Sequence, residues 1–111
     1  MRRYQARTDS NQAAIVNVYR RAGASVAILS SVGHGVPDLM VAHAFGDGCR
    51  TFLVEIKDPA RPPSARRLNP DERRWAEAWR GEYWIVETAD DALRSLKEPR
   101  LEGGITALSG H

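Results

Sequence analysis

The sequence predicts an α/β protein with a mixed four-stranded sheet flanked by helices, in the element order αβββαβα. Apolar residues recur at helical spacing in three segments, and four short apolar runs lie between those segments. A tight Gly-Asp turn makes the second and third runs antiparallel, whereas the helix before the fourth run provides a crossover connection. With 111 residues, 42% of them hydrophobic, the chain suits one domain with a modest core.

The first helix is predicted to begin near Asp9, because Asp9 and Gln12 have the spacing of a capping box. Apolar side chains then recur with helical period, and Gly23 ends the helix. The short apolar run of residues 25–29 predicts the first strand. Residues 30–37, punctuated by glycine, predict a loop.

A hairpin is predicted from strands at residues 38–43 and 51–57, joined through Phe45-Gly46-Asp47-Gly48. Such a tight turn needs residues that tolerate positive φ. Residues 58–68 are rich in Pro and Arg and lack an apolar period, which predicts an ordered loop.

The second helix is predicted to begin at Asn69, with Pro70 in the first position and Glu72 completing a capping box, and to end at Gly81. Trp75 and Trp79 lie one turn apart on it, which favours a core role over base stacking.

A fourth strand at residues 83–87 and a last helix opened by a Thr88–Asp91 capping box follow. We therefore expect one domain over residues 1–100 and a frayed C-terminal tail over residues 101–111.

Composition excludes several classes of protein. Cys49 is the single cysteine, so an internal disulfide scaffold is excluded, and no apolar run reaches the roughly 20 residues of a membrane span. The basic first residues lack the apolar stretch of a signal peptide, so we expect a soluble intracellular protein without membrane partners.

The net charge is +2, and 14 of the 16 basic residues are Arg. Arginines cluster at residues 2–7 and again at residues 61–74, which indicates either a phosphate-binding surface or solvated faces with a codon bias.

Three charged residues lie on strands that should be buried. The two-residue period of the third strand puts Glu55 and Lys57 on one face. If Gly46 and Asp47 form the turn, the register sets Asp38 opposite Glu55, with Cβ atoms about 4.5–5.5 Å apart. A turn at residues 47–48 would leave the two carboxylates on a diagonal.

Two facing carboxylates repel, and burial makes each charge costlier. Either one carboxyl stays protonated, or a divalent cation lies between them. Mg²⁺ fits such a site because it takes one or two carboxylates together with water and substrate phosphate. A plain ion pair of Lys57 with Glu55 or Asp38 is the structural alternative.

These residues carry a resemblance. The segment Val36-Pro37-Asp38-Leu39-Met40-Val41, followed by Val54-Glu55-Ile56-Lys57, resembles the Pro-Asp and Glu-x-Lys motifs of the PD-(D/E)XK nuclease superfamily. Within it, the chain is most similar to the small stand-alone VRR-NUC nucleases of phages and prophages. The similarity extends over roughly residues 9–96 and includes Gly35 and the segment from Leu68 to Trp75.

The resemblance implies a metal-dependent endonuclease with a restriction-endonuclease-like core. Asp38, Glu55 and the main-chain carbonyl of Ile56 would bind Mg²⁺ or Mn²⁺, and Lys57 would act in catalysis on the side of the base. Small members of the family are similar to Holliday-junction resolvases, which implies branched DNA as substrate, a homodimer, and the cytoplasm of a bacterial or phage-infected cell.

The chain departs from the family pattern at two positions. Many relatives offer a Glu from the first helix, where this chain has Asp9, Asn11 or Gln12, so Gln12 is a candidate site residue that could hold a water or a ligand, or else only a cap. The second helix often has Gln where this chain has Glu72. Glu72 shares a helical face with Trp75 and Trp79, which would bring it near the site.

Four further residues are candidates for contact with nucleic acid. His34 lies between two glycines that would let backbone N–H groups approach a phosphate, although a surface histidine is the simpler interpretation. Ser64, Arg66 and Arg67 lie in the loop just after Lys57.

Two other functions remain open. The missing first-helix Glu is compatible with a non-catalytic nucleic-acid-binding module that retains the nuclease fold. A protein-interaction domain that dimerises through Tyr83, Trp84 and the first helix is the third possibility.

Overall fold

The computed structural model describes residues 11–99 and 104–108. Within them the elements are α1 (Gln12–Arg21), β1 (Ser25–Ile28), β2 (Leu39–Phe45), β3 (Gly48–Ile56), a short 3₁₀ helix (Pro63–Arg66), α2 (Pro70–Ala78), β4 (Glu82–Val86), α3 (Ala89–Lys97) and β5 (Gly104–Ala107). Helices of this length and polarity, in the part of the chain described, do not meet the requirements for crossing a membrane.

The described strands form one mixed sheet in the order β1-β2-β3-β4-β5. β1, β2 and β3 are antiparallel neighbours, whereas β4 runs parallel to both β3 and β5. In the β2–β3 hairpin Phe45 pairs with Gly48 and Leu39 pairs with Val54. Gly46 has φ +59° in the two-residue turn. The first of the two turn placements considered above is therefore confirmed, together with its register.

The main core lies between the sheet and the helices α1 and α3. Phe52, Val54 and Ile56 face this side from β3, because alternate residues of a strand point to the same face. Edge-on aromatic contacts join Phe52 to Tyr19 of α1 and to Trp84 of β4, with ring centroids 6.2 and 6.3 Å apart. This large apolar layer fixes the sheet against two helices and determines which side chains of β3 point the other way.

A smaller core lies on the opposite face, under α2. Leu53, Tyr83 and Ile85 are buried there against Ala76, with Trp75 packed at the edge. Trp75 thus has the predicted core contact, whereas Trp79 stacks on it at 5.5 Å and remains 40% exposed. Glu55 lies on this same face, two residues after Leu53 along β3, where the apolar layer ends.

The predicted strand count is wrong, because residues 104–107, expected in a frayed tail, form β5. This segment is too short to show a period, and its backbone is paired by β4 while Ile105 packs on the smaller core. Residues 101–103 and 109–111 of the expected tail, and the arginines at residues 2–7, lie outside the described residues.

Two helix boundaries also differ from the prediction. α1 begins at Gln12 with Asn11 as its N-cap, and the predicted cap, Asp9, lies outside the described residues. α2 ends at Ala78 rather than near Gly81, because Trp79 already has an extended backbone and its indole donates to the Glu82 carbonyl. The capping box of Asn69 and Glu72 is confirmed in both directions.

Candidate active site

The two predicted carboxylates meet at the end of the β2–β3 hairpin. Asp38 immediately precedes β2, and the observed register, continued by one residue, sets it opposite Glu55. Oδ2 of Asp38 accepts a hydrogen bond from the Ile56 amide at 2.7 Å, which fixes the Asp38 side chain across the strand. Only 5% of Glu55 is exposed. The arrangement is the pair of facing acids that the sequence predicts.

Lys57 joins this pair to α2. Its ammonium Nζ lies 2.8 Å from Oε1 of Glu72 and 3.5 Å from Oε2 of Glu55, and the residue is 9% exposed. The contact between Lys57 and Glu55 that the structural alternative requires is therefore present, and Glu72 is a second and closer partner of the lysine.

Glu72 has two roles through one atom. Its Oε1 accepts from the Asn69 amide at 2.9 Å, as the capping box requires, and from Lys57 at 2.8 Å. The start of α2 thus sets the position of the Lys57 ammonium group. Pro70 and the cap explain why the sequence begins a helix here, directly above the ends of β2 and β3.

Burial raises the pKa of Glu55 to about 10, and the neighbouring charges of Asp38 and Glu72 raise it further than Lys57 can lower it. The folded protein therefore favours the protonated form of this carboxyl. For Lys57, burial lowers the pKa, but the hydrogen bond to Glu72 and the adjacent carboxylates outweigh burial, so its pKa is raised and the ammonium stays charged.

Tyr83 lies beneath the same group of acids. Burial raises its pKa, and the charges of Glu55, Glu72 and Asp38 raise it further. Its hydroxyl is buried and has no hydrogen-bond partner among the described residues. An unsatisfied hydroxyl next to crowded carboxyls indicates a site whose polar groups are not all paired by the protein itself.

Asp38, Glu55, Lys57 and Glu72 line an open pocket of about 310 Å³. One wall is the loop of Gly33, His34 and Gly35, all with positive φ, and the other is the start of α2 from Asn69 to Glu72. A Cβ on Gly35 would lie 2.4 Å from the Asp71 carbonyl oxygen, so only glycine allows this loop to touch the helix. His34 is consequently held at the rim of the pocket.

The other predicted site residues do not line the pocket. Gln12 is buried behind the pocket wall, where its Oε1 accepts from the hydroxyl of Ser30, itself a wall residue, at 3.1 Å. Ser64 and Arg67 are exposed in the segment after Lys57, and Arg66 is partly buried against Glu87.

Sequence reasoning missed two residues around the site, Ser30 and Glu87, and considered Asn11 only as a replacement for the first-helix Glu. The Asn11 amide nitrogen donates to the carbonyls of Lys57 and Glu87, which joins the ends of β3 and β4 to α1. Glu87 could have been predicted from the sequence. It is an acidic residue directly after an apolar strand, as Glu55 directly follows the apolar residue Val54.

The donor set fits a hard divalent cation: two carboxylates, one with its pKa raised by burial and by its acidic neighbours, lie in a pocket with the Ile56 backbone. Across residues 11–99 and 104–108, no group of three or more His, Cys, Asp or Glu side chains is arranged to hold a metal ion. A cation here would take main-chain, water or substrate oxygens as its remaining ligands.

Comparison of the chain with protein-family models, with curated proteins and with solved structures gives no match.

Proposed function

We propose that this chain is a metal-dependent endonuclease that hydrolyses phosphodiester bonds in DNA. The observation that carries the proposal is the convergence of Asp38, Glu55 and Lys57 on one face of the sheet, inside an open pocket. The resemblance to the VRR-NUC nucleases adds branched DNA as the substrate and a homodimer as the acting form.

In this proposal Asp38, Glu55 and the Ile56 carbonyl hold Mg²⁺ or Mn²⁺. The ion supplies polarisation of a phosphoryl oxygen and a lower pKa for a bound water. Asp38 is oriented for this by the Ile56 amide, and Glu55 must release its proton to become a ligand.

Lys57 is suited to stabilise negative charge on the phosphoryl group that is attacked. Its ammonium is kept charged and is held at 2.8 Å from Glu72, which prevents the flexible side chain from turning away. His34, on the opposite wall, would contact a phosphate of the bound strand, and the exposed residues Ser64 and Arg67 after Lys57 are further candidates for such contacts.

A cleavage assay tests the proposal. Labelled four-way-junction, flap, single-stranded and duplex DNA are incubated with the chain in Mg²⁺, in Mn²⁺ and in EDTA. We expect cleavage that requires the cation and falls at least about 100-fold in Glu55→Gln and in Lys57→Met.

The matched control is Glu77→Gln, because Glu77 is a carboxylate on the exposed side of α2. It should cut like the parent. Binding of DNA without cleavage in either metal would contradict the proposal and favour the non-catalytic module.

A further inference from the structure

An ion pair that the proposed chemistry does not use lies beside the site. Arg66 ends the 3₁₀ helix after β3, and its Nη1 is 3.4 Å from Oε1 of Glu87, the residue after β4. Lys57 and Glu87 both follow the paired residues Ile56 and Val86. The backbone of Glu87 therefore lies about one strand spacing, roughly 4.8 Å, from the backbone of Lys57.

Arg50 is an arginine of this protein with a purely structural role, and its hydrogen bonds provide a comparison for Arg66. Its Nε and Nη2 bond the two carboxylate oxygens of Glu82 at 3.1 and 2.6 Å, and its Nη1 donates to the carbonyls of Ser95 and Leu96. Every nitrogen of that guanidinium is used, and the side chain is 8% exposed.

Arg66 is held differently. Its Nη1 makes the long contact with Glu87, its buried Nε has no partner among the residues described, and its side chain is 20% exposed. The described residues thus leave this partly exposed guanidinium incompletely satisfied. Unused donors of a planar guanidinium suit the oxygens of a phosphate.

The backbone of Glu87 is held by hydrogen bonds, and its side chain is buried. It is 2% exposed, its amide donates to Oδ2 of Asp91 at 2.9 Å, and its carbonyl accepts from Asn11 at 2.8 Å. A buried carboxylate is costly without a countercharge, so Glu87 draws the guanidinium of Arg66 toward the end of β4.

We infer that Glu87 is a positioning residue that holds Arg66 to bind a phosphate of the nucleic-acid backbone next to the bond that is cut. The nature of the ligand rests on the proposed function. Arg66, one arginine of the Arg-rich segment, is preorganised for that ligand, because its contact with Glu87 restrains the side chain before the ligand arrives.

The test is DNA binding measured by fluorescence anisotropy in EDTA, with a labelled four-way junction over a series of salt concentrations. We expect Arg66→Ala to bind about tenfold more weakly and to reduce the salt slope by about 0.9, the value for one lost phosphate contact. Arg94→Ala, which removes an exposed arginine from α3 on the other face of the sheet, should change neither quantity.

The role of Glu87 is tested with Glu87→Gln, which retains an oxygen that can accept from Arg66. We expect weaker binding than the parent, and no further loss when the change is added to Arg66→Ala, because the two residues act as one unit.

If Arg66→Ala binds DNA with the same salt slope as the parent but has a lower Tm, the inference is overturned. The Arg66–Glu87 pair would then have only a structural role. Fully additive losses in the double variant would overturn the positioning role. Because binding is read in EDTA, these results are independent of cleavage, and absence of cleavage by the parent contradicts only the nuclease proposal.

Discussion

At the scale of single residues, the Glu55 carboxyl shows how burial and like charge act together. Its pKa in the folded protein is raised to about 10 from an ordinary value of 4.5. Between these two values the unfolded chain releases a proton that the folded protein keeps. The free energy of unfolding therefore decreases as the pH rises through this range. Glu55 destabilises the folded protein least at acidic pH.

Glu55→Gln should remove this dependence, since the amide stays neutral in both states. In EDTA we expect the variant to be more stable than the parent by on the order of 1–3 kcal/mol at pH 8, with a smaller difference at pH 5. Urea unfolding at the two pH values measures the difference. A variant less stable than the parent at pH 8 would mean that Glu55 is ionised in the folded protein and stabilised by Lys57.

The two buried tyrosines differ in hydrogen bonding and should differ in the effect of losing the hydroxyl. The Tyr19 hydroxyl bonds the Ser95 hydroxyl at 2.8 Å, whereas the Tyr83 hydroxyl has no partner among the described residues. We expect Tyr19→Phe to lower the free energy of unfolding by about 1 kcal/mol and Tyr83→Phe to leave it unchanged or raise it slightly. Thermal unfolding checks both, and an equal loss in the two variants would contradict the structure at Tyr83.

At the scale of elements, the site is built where a loop and a helix start meet. The loop of residues 33–35 needs positive φ at three consecutive positions, and Gly35 packs directly on the backbone of Asp71. The capping box of α2 fixes the other side, and its Glu72 reaches Lys57. Backbone contacts and a helix cap thus define both walls of the pocket.

Gly35→Ala should disturb this contact. The new Cβ would lie 2.4 Å from the Asp71 carbonyl oxygen, and the backbone has φ +83°. We expect a loss of about 2–4 kcal/mol in the free energy of unfolding, together with loss of the proposed DNA cleavage.

The matched variant is Gly33→Ala, where φ is +76° and no described atom lies within 4 Å of the added Cβ. It should lose only the conformational term of about 1–2 kcal/mol. Equal losses in the two variants, measured by urea unfolding, would mean that the loop does not pack on α2.

At the scale of the whole molecule, local patterns predicted the hairpin and the facing acids. A two-residue turn fixes the register, and the two-residue period of β3 fixes the face on which Glu55 and Lys57 lie. Both follow from residues near one another in sequence, which is why no knowledge of the rest of the chain was required.

The features that escaped prediction depend on contacts between distant segments. β5 is held by parallel pairing with β4, and its four residues carry too little pattern of their own. Arg50 is a buried cation because Glu82 and the end of α3 pack around it. These partners are 32 or more residues away from it in the sequence. Arg66 meets Glu87 across 21 residues in the same way.

The most direct test of the proposed cation site between Asp38 and Glu55 is a calorimetric titration of the whole chain with Mn²⁺ at pH 7.5, in two buffers of different ionisation enthalpy. The account predicts binding with release of about one proton, because Glu55 must ionise to become a ligand, and no binding to Glu55→Gln or Asp38→Asn. Binding that is unchanged in these variants, or that releases no proton, would contradict it.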